Sequence, residues 1–144
     1  MTKDDITADQ SSMRWSIDPD WYPQRGRSIS ILLQNCLCQE CRKKLNGEGG
    51  QTSDAELINR VKECCSQSPD FITGQMPVLE SIFRFFIASG NKPMTIEELG
   101  KQLGERRGGD ISRTSAEVLL RLLKNDRYYG FQPAADSYLT LNPE

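Results

Sequence analysis

The chain has 144 residues, five cysteines and no histidine, with a net charge of -2 and a pI of about 5.3. Without histidine there is no Ser-His-Asp triad, no Cys-His pair and no His-ligated metal within the chain, and no other convincing catalytic grouping stands out, so neither enzymatic activity nor a small-molecule substrate is expected. Mild acidity gives no global signature of a nucleic-acid or membrane-surface protein, no apolar run nears the ~20 residues of a bilayer span, and Met1 to Ser12 lacks the apolar stretch of a secretory signal, so the expected location is cytoplasmic.

Residues 1–14 are polar and read as a disordered tail. Trp15 to Pro23 holds both tryptophans and a tyrosine, and its two prolines exclude a continuous helix. Such an aromatic arm either packs on the folded body, the favoured reading, or forms a strip for a partner. Ser28 to Asn35 reads as a short helix carrying Ile29, Ile31, Leu32 and Leu33. Asn46 to Gln51 is a Gly-rich loop. Ser53-Asp54-Ala55-Glu56 is a capping box, and the helix it opens runs to about Cys65 with Leu57, Ile58 and Val61 along one side. Residues 15–70 thus form a helical segment with an aromatic arm, and the connection Ser66 to Gln75, containing Pro69-Asp70 and Gly74, separates it from a second unit, 76–144.

The second unit is better punctuated. Pro77 suits the first position of a helix over 77–89 that is apolar on most sides and therefore central. Thr95-Ile96-Glu97-Glu98 caps a helix over 95–106, and Gly108-Gly109 ends it. Thr114-Ser115-Ala116-Glu117 reads as a third capping box, opening a helix over 114–125 with Ala116, Leu119, Leu120 and Leu123 inward. Residues 128–131 and 138–141 read as the strands of a hairpin. The expected core is Phe83, Phe86, Leu99, Leu103, Leu119, Leu120 and Leu123. The fold class is mainly α with a small β-hairpin.

Helix, short extended link, helix, turn, helix, hairpin is the order of elements in a winged helix-turn-helix domain, and Pro93 to Gly100 resembles the entry to the second helix of many such domains. The whole chain is also similar to uncharacterised small bacterial proteins with a cysteine cluster ahead of a winged helix. The first resemblance implies a binding module; the second carries no activity with it.

Two groups of residues could carry function. Cys38-x-x-Cys41 has knuckle spacing, in which two thiolates grip one tetrahedral ion from a tight turn. Cys64 and Cys65 at the end of the Ser53-capped helix could complete a structural zinc site, with Cys36 left outside. Free buried thiols and a Cys38–Cys41 redox pair are the other readings. The second group is basic. Between Gly100 and Gly130 seven basic residues face four acidic ones although the whole chain is acidic. A winged helix would present Arg106, Arg107, Arg113, Thr114, Arg121 and Lys124 to phosphates and base edges of double-stranded DNA. The expected function is a non-enzymatic nucleic-acid-binding or transcription-associated regulator. The alternative is a protein-interaction module that meets a protein of the transcription machinery through Trp15, Trp21, Tyr22 and Tyr129.

Overall fold

The computed structural model describes Gln10 and residues 12–47, 52–109 and 113–134. In chain order these residues form strand β1 (Arg14–Ile17), the single turn α1 (Trp21–Gln24), α2 (Ile29–Asn35), α3 (Gln39–Gly47) and α4 (Asp54–Glu63). A 3-10 turn at Cys65–Gln67 follows, then α5 (Val78–Ala88), β2 (Met94–Thr95), α6 (Ile96–Arg106), α7 (Ala116–Lys124) and β3 (Phe131–Pro133). The architecture is mostly helical, with one small three-stranded antiparallel sheet in the order β2-β1-β3.

The helices begin where the caps are. The Ser53 hydroxyl accepts from the Glu56 N–H at 3.1 Å and opens α4. Thr95 and Glu98 form both halves of a capping box at α6, with bonds of 3.2 and 3.0 Å; each such cap is worth ~1 kcal/mol. At α7 the cap shifts by one residue from the expectation. Ser115, rather than Thr114, accepts from the Val118 N–H. Thr114 is pulled inward by a close approach to α6: a Cβ on Gly100 would stand 2.6 Å from the Thr114 carbonyl oxygen, so only glycine fits there.

Helix α5 is central, as its apolar circumference requires. Ile82, Phe83 and Phe86 are fully enclosed, and Leu99, Leu103, Leu119, Leu120 and Leu123 pack into the same core. All seven expected core residues are buried. The expected division near residues 70–76 does not separate two cores, because Trp15, Ile17, Tyr22, Leu33 and Leu57 belong to the same apolar cluster as Phe86 and Leu119.

The sheet explains why. β1 lies in its middle, pairing Arg14 with Thr95 and Trp15 with Met94 on one side. On the other side Trp15 pairs with Pro133, Ser16 with Gln132 and Ile17 with Phe131. The period-two alternation of a strand sends Trp15 and Ile17 into the core. Arg14, assigned by sequence to the tail, opens this strand, whereas residues 1–9 and 11 lie outside the described residues.

The expected hairpin is corrected where it can be seen. Its second strand, 138–141, falls outside the described residues. Residues 128–130 are a loop, and β3 begins at Phe131. The reason is Asp126, whose carboxylate accepts from the backbone N–H groups of Tyr128, Tyr129 and Phe131 and so holds the segment out of a ladder. Gly130 completes the loop at φ +76, pressed against the Trp21 ring. No helix among the described residues is long and apolar enough to cross a membrane.

Candidate functional site

Packing of α2, which buries Leu32 and Leu33, on α4, which buries Leu57 and Val61, brings the start of α3 to the end of α4. Four cysteines meet there. Cys38 immediately precedes α3 and accepts its first helical bond, from Arg42 N–H to the Cys38 carbonyl at 2.9 Å. It therefore sits where a cap residue sits, and Cys41 lies one turn into the helix. Cys64 ends α4 with φ -123 and ψ -60, outside helical geometry. Cys65 opens the 3-10 turn. The adjacent pair thus straddles a helix end, so its two thiols are not bound to the directions a continuous helix would impose.

The sulfur atoms of Cys38, Cys41 and Cys64 all lie within 4.8 Å of one another, and Cys38 Sγ is 3.9 Å from Cys64 Sγ. Zn–S bonds of ~2.3 Å in a tetrahedron set sulfur atoms ~3.8 Å apart, so the cluster has metal-site dimensions. The three thiols could hold a metal ion. Cys65 is fully buried beneath them, and its sulfur accepts the Cys38 N–H at 3.1 Å. Its thiol also interacts with those of Cys38 and Cys41. Cys36 stands apart: its thiol donates to the Leu32 carbonyl oxygen at 3.4 Å, as a buried helical cysteine does.

The electrostatics differ between the four. The Cys41 backbone N–H stabilises the Cys38 thiolate and draws that thiol down to about 7. Burial pushes Cys41 up to about 11 and also raises Cys65. Hydrogen bonding with Cys41 and Cys38 holds Cys64 up at about 11. One thiol is drawn toward ionisation and its neighbours hold their protons more tightly. The N–H donors from Cys41 and Cys38 are members of the site that the bare Cys-x-x-Cys spacing did not announce. Placement of the first cysteine just ahead of a helix is the signal that would have found them.

The basic residues separate into exposed and buried. Arg113, Arg121 and Lys124 are exposed, while Leu119, Leu120 and Leu123 turn the opposite side of α7 into the core. Arg106 is exposed as well, its guanidinium 5.1 Å from the Phe85 ring centre. Arg107 and Thr114 are corrections. Arg107 is 5% exposed and spends its guanidinium inside the protein, donating to Met76 O and Ser81 Oγ at 2.6 Å and to Thr73 O at 3.2 Å. It fastens the 73–76 connection to α5 and cannot reach a phosphate. Thr114 is 3% exposed, buried by the Gly100 contact, and cannot meet a base edge.

The aromatic arm is also resolved. Trp15, Trp21 and Tyr22 are buried in the core, and the Tyr22 hydroxyl donates to the Tyr129 carbonyl oxygen. They are packing residues and not a strip for a partner. No protein family, curated protein or solved structure matches the chain.

Proposed function

We propose that this is a non-enzymatic nucleic-acid-binding protein of winged helix type, whose α7 is the recognition helix and whose N-terminal helices are fastened by a structural zinc. The observation that supports the nucleic-acid reading is the two-sidedness of α7. Leu119, Leu120 and Leu123 are sunk in the core, and Arg121 and Lys124 stand one turn apart on the exposed side, with Arg113 just ahead of the helix. That is the footprint phosphate contacts need, on a protein that is acidic elsewhere. The test is duplex binding by fluorescence anisotropy at several salt concentrations. Affinity should fall steeply with salt, and Arg113→Gln with Arg121→Gln should reduce both affinity and slope. Salt-insensitive binding, or none at low ionic strength, rejects the reading.

For the metal, Cys38, Cys41 and Cys64 would hold zinc, and Cys65 would close the shell. Four thiolates favour zinc over harder ions, and a closed shell serves structure rather than catalysis. Elemental analysis of the purified protein should find one zinc per chain.

A second reading, a protein-interaction module without nucleic-acid binding, draws support from a different place than the sequence suggested. Ile31 is 64% exposed and Tyr128 52% exposed, and they flank one shallow groove with Arg27. If duplex DNA does not bind, Ile31→Ser and Tyr128→Ser are the first variants to test for loss of a protein partner.

A further inference from the structure

A cleft of about 290 Å³ opens where α1, the end of α7 and β3 converge. Arg25, Lys124 and Arg127 line it, Arg25 from the end of α1 and the other two from the end of α7 and the loop that follows it. The carboxylate among its walls, Asp126, turns both oxygens to backbone N–H groups. Trp15 lines the same cleft. Its indole N–H is buried and has no hydrogen-bond acceptor among the described residues, although the residue is only 5% exposed. A buried donor left without an acceptor is rare enough in a native protein to need an explanation. An incoming acceptor is the simplest one.

We propose that this cleft is a phosphate site, and that it seats a backbone phosphate of the nucleic acid bound along α7. A phosphodiester is an acceptor-only anion, which suits three cations and an unpaired N–H donor. The Arg25 guanidinium is held 4.6 Å above the Trp21 ring, so part of its orientation is set before a ligand arrives. Lys124 lies three residues beyond Arg121 on α7, so the cleft continues the exposed basic side of that helix. Arg25, the exposed residue of the N-terminal arm at this cleft, thereby joins the nucleic-acid surface, while Trp15 and Trp21 line the cleft from the core side. This inference rests on the nucleic-acid reading above and adds a place and residues to it.

The two tryptophans of the chain both line this cleft, so intrinsic fluorescence reports on it directly. The experiment uses the full chain, a short labelled duplex and, separately, inorganic phosphate. Duplex binding should change tryptophan emission. Lys124 already belongs to the α7 footprint, so the cleft is tested by Arg25→Gln and Arg127→Gln, with Lys124→Gln alone as the reference for α7. Arg25→Gln, Lys124→Gln and Arg127→Gln combined should weaken duplex binding at low salt at least tenfold and flatten the salt slope by about 1 or more beyond Lys124→Gln alone, the signature of a lost phosphate contact. All three positions are exposed, so circular dichroism should show an unchanged fold. Trp15→Phe should weaken binding with no change in salt slope, because it removes a neutral donor. If the triple variant binds like Lys124→Gln alone while Arg113→Gln with Arg121→Gln abolishes binding, the cleft assignment is overturned and the α7 reading stands. If inorganic phosphate changes the emission but the duplex does not, the cleft serves a free anion and the assignment to a nucleic acid is wrong. If no duplex binds the parent protein at all, both fall together.

Discussion

The Asn91 side chain pairs with the backbone of Ile17 as if it were a strand. Its Oδ1 accepts the Ile17 N–H at 2.8 Å, and its Nδ2 donates to the Ile17 carbonyl oxygen at 2.8 Å. Asn91 does this from φ +60, a conformation asparagine tolerates better than most residues. Asn91→Ala should therefore lose both bonds and strain the backbone, at about 2–4 kcal/mol in all. Asn91→Gly relieves the strain and isolates the bonds, and should lie about 1 kcal/mol above the alanine variant. Urea midpoints compare the three proteins; a glycine variant as stable as the parent would show that the clamp contributes nothing.

The zinc assignment makes a selective prediction. Cys41→Ser and Cys64→Ser should each lower the zinc content and make the remaining stability insensitive to chelator. Cys36→Ala should keep one zinc per chain, since that thiol is turned to Leu32. In the parent, chelation should lower the thermal midpoint by several degrees, because metal binding and folding of the α2–α4 segment are linked. Cobalt substitution offers an optical check, because tetrahedral thiolate coordination colours the protein. An unchanged midpoint in chelator, with no zinc by mass spectrometry, rejects the site.

Arg106 and Arg107 should part company on mutation. Arg107→Met leaves buried carbonyl oxygens and the Ser81 hydroxyl without their donor, at about 2–4 kcal/mol. Arg106→Met, at an exposed position, should cost less than about 1 kcal/mol. Equal losses in denaturant titrations would mean that Arg107 is not the staple described above.

Phe86→Ala empties the middle of α5, where the ring packs against Phe131 and Phe85. A loss of ~3–5 kcal/mol is expected. A loss below about 1 kcal/mol in calorimetry would place the core elsewhere.

Stability should fall on the alkaline side through the tyrosines. Burial raises both Tyr22 and Tyr129 above the ordinary phenol value of 10, Tyr129 to about 12. Between pH 10 and 12 the unfolded chain has lost these protons while the native chain keeps them. The native state then binds more protons, so stability declines as pH rises and the contribution is intact below pH 10. Tyr129→Phe should flatten this decline, followed by unfolding midpoints against pH. An equally steep decline in the variant would assign the effect to other groups.

What could be read from the sequence was local. Ser53 and the Thr95–Glu98 pair announced their helices because a cap needs only a few consecutive residues. The apolar ring of α5 announced the core because its period is helical. What could not be read depended on residues far apart. Arg106 and Arg107 are neighbours of the same type, and only the acceptors at Thr73, Met76 and Ser81, some 26 to 34 residues away in sequence, hold one of them inside. Thr114 and Ser115 are equivalent caps until Gly100 draws Thr114 inward. The cysteines fall between these cases. Cys38 and Cys41 declare themselves by spacing, but only the packing of α2 on α4 brings Cys64 to them.

The central position of β1 has a consequence for the order in which the chain is made. β1 is the first of the described strands to be synthesised, and both of its neighbours come much later. Ile17 waits for Asn91, 74 residues on, and Tyr22 waits for Tyr129, 107 residues on. Until then Trp15, Trp21 and Tyr22 have no core to enter, and a ribosome carrying the first hundred residues displays them to solvent or to a chaperone. The α2–α4 segment with its cysteines and α5, on which α4 packs, are all made before β3 and can assemble meanwhile. Folding in the cell should therefore proceed outward from the cysteine cluster, with closure of the sheet held back until β3 emerges.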